Sequence, residues 1–142
     1  MRWLIKKDFK KYQQTAPKHL YEAKEKLIYK FISSELCFYC DTKQIYILNS
    51  ANLLVLNDDF PIKATELTKL LNTDFMTWLF RQLFATHKVL KSDLQSLPIH
   101  FGYFEKYRNF TESNFLNYLG IKKSNGTYVL NIKPEHKYQT RL

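Results

Sequence analysis

KLIYKFISSELCFYCDTKQIYIL (residues 26–48) decides how the rest of the chain is read. Leu27 to Ile32 is a run of aromatic and β-branched residues closed by Ser33-Ser34, the composition of a strand ending in a turn. Leu36 to Cys40 and Ile45 to Leu48 have the same character, with Asp41-Thr42-Lys43-Gln44 as the turn between them. Asn52 to Leu56 adds a further short apolar run before Asn57-Asp58-Asp59. This spacing predicts a small, mostly antiparallel sheet over 26–56.

Downstream the pattern becomes helical. Pro61 marks a boundary and is expected near the first turn of a helix. Leu67, Leu70 and Leu71 recur at helical spacing, Asn72-Thr73 interrupts, and Thr73 is a good cap for a second helix. Phe75, Met76, Trp78, Leu79, Leu83 and Phe84 cover more than one stripe of that second helix, so it should be largely buried. Thr111 precedes a third helical stretch, Glu112 to Leu119, and Gly120 stands where a helix end favours positive φ. Ile121–Lys123 and Thr127–Ile132 flank Ser124-Asn125-Gly126, the pattern of a hairpin around an Asn-Gly turn. The expected fold is α+β: a small sheet packed with a buried helical pair, plus a C-terminal helix and β-hairpin. One domain is expected, with a recognition part over 1–104 and a C-terminal extension over 105–142. Within 1–104 we place a basic N-terminal segment at 1–25, the sheet at 26–56, helices at 62–84 and a basic loop at 85–96.

A chain of 142 residues that is 45% hydrophobic has ample material for one core. No apolar run reaches the roughly 18 residues a membrane helix needs, so no membrane partner is expected. Two cysteines without a disulfide framework make a reducing cytoplasm the expected compartment. The net charge of +9 is unevenly placed. Residues 1–31 carry nine Lys/Arg against three acids, and 32–80 carry three against six. Residues 81–108 return to five against two, and 122–142 to five against one. If the basic ends meet in the fold, the surface is polarised and attracts polyanions, nucleic acid first among them.

Catalytic chemistry is poorly served. Cys37-Phe38-Tyr39-Cys40 is a lone CxxC, whereas structural zinc needs a second pair, and residues three apart on a strand face opposite ways. Asp8 with Glu22-Ala23-Lys24 loosely matches the acid…Glu-x-Lys set of metal-dependent nucleases, which makes a small nuclease the alternative reading. Three glycines, at 102, 120 and 126, leave no phosphate loop, and no cofactor is expected. Recognition is better supplied. The Ser33-Ser34-Glu35 and Asp41–Gln44 turns offer Ser33, Ser34, Lys43 and Gln44 for base edges, while Lys88, Lys91 and Ser92 suit phosphates. Lys30, at the end of the first strand, completes the candidate DNA-binding set.

KLIYKFIS (26–33), IYIL (45–48), LTKLLNTDFMTWLF (67–80) and LKSDLQSLPI (90–99) occur in this order. Together they resemble the C-terminal specificity domain of TaqI-like adenine-specific DNA methyltransferases and fused restriction-methylation enzymes. Lys26 to Ile32, Tyr46-Ile47, Leu70-Leu71-Asn72-Thr73 and Lys91 to Ile99 occupy the places of that family's opening strand, tyrosine-isoleucine strand, helix break and closing segment. Thr73 replaces the usual serine. The resemblance covers roughly 18–104 and implies a target-recognition module that binds double-stranded DNA and serves an adenine-specific methyltransferase module or subunit. The methyltransferase half, with its glycine motif and Asn-Pro-Pro-Tyr, does not occur in these residues, so the chain is not expected to be an enzyme by itself. A fragment that only docks to a methyltransferase is a further alternative.

Overall fold

The computed structural model describes residues 18–30, 32–47, 51–84 and 88–131. A three-stranded antiparallel sheet is built from β1 (Lys26–Lys30), β2 (Phe38–Asp41) and β3 (Ala51–Leu54), in the order β2-β1-β3. Four of the five residues of central β1 are buried, because both of its faces are covered. Leu27, Tyr29 and Phe38 face the main core with Leu67, Leu70, Phe75 and Met76. Ile28 and Leu53 face a second cluster with Tyr21, Tyr46 and Ile47. A strand covered on both sides reads as a continuous apolar run, which is why Leu27–Tyr29 shows no alternation. Around the sheet lie α1 (Lys18–Tyr21), α2 (Ala64–Leu71), α3 (Asp74–Leu83), α4 (Lys91–Gln95), α5 (Gly102–Lys106) and α6 (Glu112–Leu119). A hairpin of β4 (Ile121–Ser124) and β5 (Thr127–Leu130) ends the described chain. The fold is α+β with a C-terminal hairpin, as expected.

One polar pair lies inside this apolar frame. Lys26 and Asp41 are cross-strand partners, their side chains fully buried, with Nζ 2.5 Å from Oδ2. Lys26 Nζ also donates to the Tyr21 carbonyl at 2.9 Å, which ties α1 to the sheet. Asp41 accepts from the backbone N–H groups of Lys43 and Ile45, both at 2.9 Å. Those two bonds shape the turn after β2, where Gln44 adopts φ 55° and its amide donates to the Glu22 carbonyl at 2.6 Å. Burial alone would raise the Asp41 carboxyl. The Lys26 hydrogen bond, the two backbone N–H groups and the Lys26 charge outweigh it and hold the carboxyl below its ordinary value.

The helical pair grips the sheet edge through side chains. Asn72, between α2 and α3, accepts from the Phe38 N–H at 2.7 Å and donates to the Phe38 carbonyl at 2.9 Å. Its amide thus imitates a neighbouring strand at the outer edge of β2. Thr77 Oγ1 accepts from the Leu36 N–H at 3.0 Å. Thr73 caps α3 by accepting from the Met76 N–H, and the Glu112 carboxylate reaches the Phe75 N–H in the same first turn.

The C-terminal part folds as its punctuation predicts. Thr111 caps α6, Gly120 adopts φ 70° behind it, and Asn125 and Gly126 take φ 50° and 77° in the two-residue hairpin turn. Three details differ from expectation. Ile45–Ile47 fold over the second face of the sheet, burying Tyr46 and Ile47, and Ile45 and Tyr46 lie outside the paired strands. The segment expected as a loop at 85–96 contains α4. Helix α2 begins at Ala64, with Lys63 at its cap, three residues beyond Pro61.

Asp41→Asn leaves a buried, unpaired ammonium and should cost about 3–5 kcal/mol at pH 7 by urea unfolding. Because the folded carboxyl titrates below the unfolded one, its contribution is complete above about pH 4 and fades as pH falls through the folded value. The gap between wild type and Asp41→Asn should therefore narrow at pH 3, and an unchanged gap would refute this assignment. Asn72→Ala strips partners from both Phe38 backbone groups and should lower stability by about 1–3 kcal/mol in the same assay.

Candidate nucleic-acid interface

The antiparallel register decides which turns share an end of the sheet. The segment 32–37 lies beyond the Lys30 end of β1, and the 42–44 turn follows Asp41, which pairs with Lys26 at the other end. Four steps of about 3.3 Å separate these ends, about 13 Å in all. The candidate base-reading turns therefore do not lie side by side.

A second long-range contact assembles the Lys30 end. Ile32 forms an isolated antiparallel bridge with Lys88, so the segment after α3 lies against the end of the first strand. Val89 is buried, while Lys88, Leu90, Lys91 and Ser92 are exposed on either side of it. Lys30 and Ser34 are also exposed, and Ser33 is half-buried. The Ser33 hydroxyl accepts from the Glu35 N–H at 3.3 Å, giving the bend a local brace. In the last turn of α3, Arg81 donates from Nη2 to the Ser34 carbonyl. Ser33–Leu36 pack against Thr77, Phe80, Arg81 and Val89, leaving a crevice of only about 10 Å³.

Of the residues expected from sequence, the structure thus brings together Lys30, Ser33, Ser34 and Lys88. Lys91 and Ser92 open α4 three residues later, and Lys91 borders a cleft of about 350 Å³ lined by Leu54, Phe60, Leu94 and Phe101. Lys43 and Gln44 stand at the opposite end, with the Gln44 amide engaged by the Glu22 carbonyl. Arg81 is a residue that sequence reasoning left unassigned. Its one signal was a cation in the last turn of a helix, and nothing local ties that turn to Ser34, 47 residues away.

The catalytic alternatives fare as follows. Asp8 lies outside the described residues, Glu22 pairs loosely with Lys18 at 3.8 Å, and Lys24 is exposed. Among the described residues no group of three His, Cys, Asp or Glu side chains converges on a point that could hold a metal. Cys37 is exposed and Cys40 half-buried, both as thiols. Burial and the Glu25 carboxylate push the Cys40 thiol up. No helix among the described residues is long and apolar enough to cross a membrane.

Comparison with known families finds the TaqI-like C-terminal specificity domain over residues 3–99. This chain belongs to that family. No curated protein and no solved structure matches it. A specificity domain is a non-catalytic module, the part of a DNA methyltransferase associated with recognising DNA. In this specificity domain the family match ends at Ile99, after α4, so α5, α6 and the hairpin lie beyond it. They are joined to it all the same: Tyr103, Phe115, Tyr118 and Tyr128 share the main core with Leu27 and Phe75.

Arg81→Ala removes the clamp on the Ser34 carbonyl. Amide hydrogen exchange over residues 33–36 should accelerate several-fold while the global unfolding midpoint stays nearly unchanged, as expected of a surface contact.

Proposed function

We propose that this chain is the DNA-reading module of a restriction-modification system. It grips duplex DNA with the basic end of its sheet and directs an adenine-specific methyltransferase or endonuclease module to its target, performing no covalent step itself. Family membership supports the DNA-recognition role. The observation that carries the placement is the Ile32–Lys88 bridge, which unites Lys30, Ser33, Ser34, Arg81 and Lys88 at one end of a packed scaffold. Exposed lysines and an arginine meet phosphates as cations, and hydroxyls beside them can bond phosphate oxygens or base edges.

In this reading Lys30 and Lys88 contact one phosphate rail, with Lys91 and Ser92 extending the contact along α4. Lys43 lies beyond the other end of the strands, in the turn after Asp41, and is assigned to the opposite rail. Gln44 anchors the turn that carries it. Ser33 and Ser34 lie nearest the base edges. The bend holding them is fixed by Arg81 and by the Thr77–Leu36 bond, so little ordering entropy remains to be lost on binding.

The test is fluorescence anisotropy with duplex DNA across a salt series. Wild type should show log affinity falling linearly with log salt, with a slope near −0.9 per phosphate contacted. A Lys30→Ala/Lys88→Ala double variant should weaken binding and flatten that slope by about 1.8, and Lys43→Ala should flatten it by about 0.9. Absence of salt-sensitive duplex binding at low ionic strength would rule the proposal out.

A further inference from the structure

Ile32 is 68% exposed, a large aliphatic side chain standing in solvent on a basic surface. Isolated exposed aliphatics are common and need no explanation by themselves. Two properties set this one apart. It is held in place, since its backbone pairs with Lys88 and the adjacent Val89 is buried in the main core. It also lies beside cations: Lys88 is its paired neighbour, and Lys30 ends β1 two residues earlier in sequence. Directly paired residues of an antiparallel bridge carry their Cβ atoms on the same side, about 4.5–5.5 Å apart. The Ile32 and Lys88 side chains therefore project together. Leu90, 37% exposed, lies two residues beyond Lys88.

A surface that sought only phosphates would have no use for a fixed aliphatic among its lysines. The pairing suits a ligand that is anionic along its rails and apolar at a defined depth between them. The major groove of duplex DNA is such a ligand, and its apolar group is the C5-methyl of thymine. We propose that Ile32 reads thymine through this methyl group while Lys30 and Lys88 hold the flanking phosphates. The inference rests on the DNA-reading role proposed above and adds a specificity-determining residue to it. An adenine-directed enzyme always has an A·T pair in its target, so a thymine is always present to be read.

Duplexes selected from a random pool by the intact chain are remade with deoxyuridine in place of thymidine, which removes the methyl group and keeps the base pairing. Wild type should bind the thymine form about fourfold more tightly for each methyl it buries. Ile32→Ser should bind both forms equally, at the affinity of wild type for the uracil form and with the same salt slope. Ile32→Val, which keeps a branched aliphatic, should retain most of the preference and guards against a serine variant that misfolds. Equal wild-type binding to the two forms, or a thymine preference that survives in Ile32→Ser, overturns the assignment while leaving DNA binding intact. Failure of selection to recover any bound duplex removes the DNA-reading proposal itself, and this inference with it.

Discussion

The buried Lys26–Asp41 pair sets the register on which the rest of the molecule depends. Taking both charges out of water is costly, and the direct attraction alone seldom offsets that cost. Here the remaining hydrogen-bonding capacity is used on backbone: the Tyr21 carbonyl on one side, the Lys43 and Ile45 N–H groups on the other. The gain is positional. A slip of one residue between β1 and β2 would turn Lys26 toward the helices and Leu27 toward the second cluster, leaving a charge among Leu67, Leu70 and Met76. With the register fixed, residues 32–37 must lie at one end of the sheet and the Lys43 turn at the other. The layout of the basic surface is thus decided by a pair that takes no part in it.

What could be read from sequence was what chemistry fixes within a few residues. Thr73, Thr111, Gly120 and the Asn125-Gly126 turn act on their own neighbours, and each does what its residue type requires. The helices at α4 and α5 carry no such signal. Leu90 and Phe101 stand at their N-caps without a side-chain cap bond. Glycine, a poor helix former, opens α5, and the reason lies in tertiary structure: a Cβ at Gly102 would come 2.7 Å from Tyr118 Oη. Ile45–Ile47 show the same limit in reverse. Their composition suits a strand, yet Asp41 draws in the Ile45 N–H and Tyr46 stacks on Tyr21, 5.2 Å between ring centroids, so the segment becomes a cover for the sheet.

The candidate site was legible as a set of residue types and illegible as a place. Lys30, Ser33, Ser34 and Lys88 were readable as exposed polar chemistry near turns. That they form one surface, while Lys43 and Gln44 belong to another end, follows from contacts between residues far apart in the chain. Ile32 meets Lys88 across 56 positions, Arg81 meets Ser34 across 47 and Asn72 meets Phe38 across 34. Periodicity and capping say nothing about such separations. The ordered motifs did carry the family, because Leu70-Leu71-Asn72-Thr73 encodes a corner with two duties, closing one helix and holding the sheet edge.

The C-terminal part beyond the family match has a mechanical part in this arrangement. Glu112, at the start of α6, offers its carboxylate to the first turn of α3, where the helix dipole favours a negative charge. Tyr128 of the hairpin packs on Phe75 and Trp78 of the same helix, with ring centroids 5.0 and 5.2 Å away. Helix α3 is therefore fixed at its N-terminal half by α6 and the hairpin, and along its length by the core residues Met76 and Phe80. Arg81 projects from the last turn of that same helix onto the Ser34 carbonyl. A helix braced at one end can hold a cation steadily at the other, and a bend held by that cation presents its hydroxyls in one geometry. The extension thus supports the bend at Ser33–Ser34 through α3.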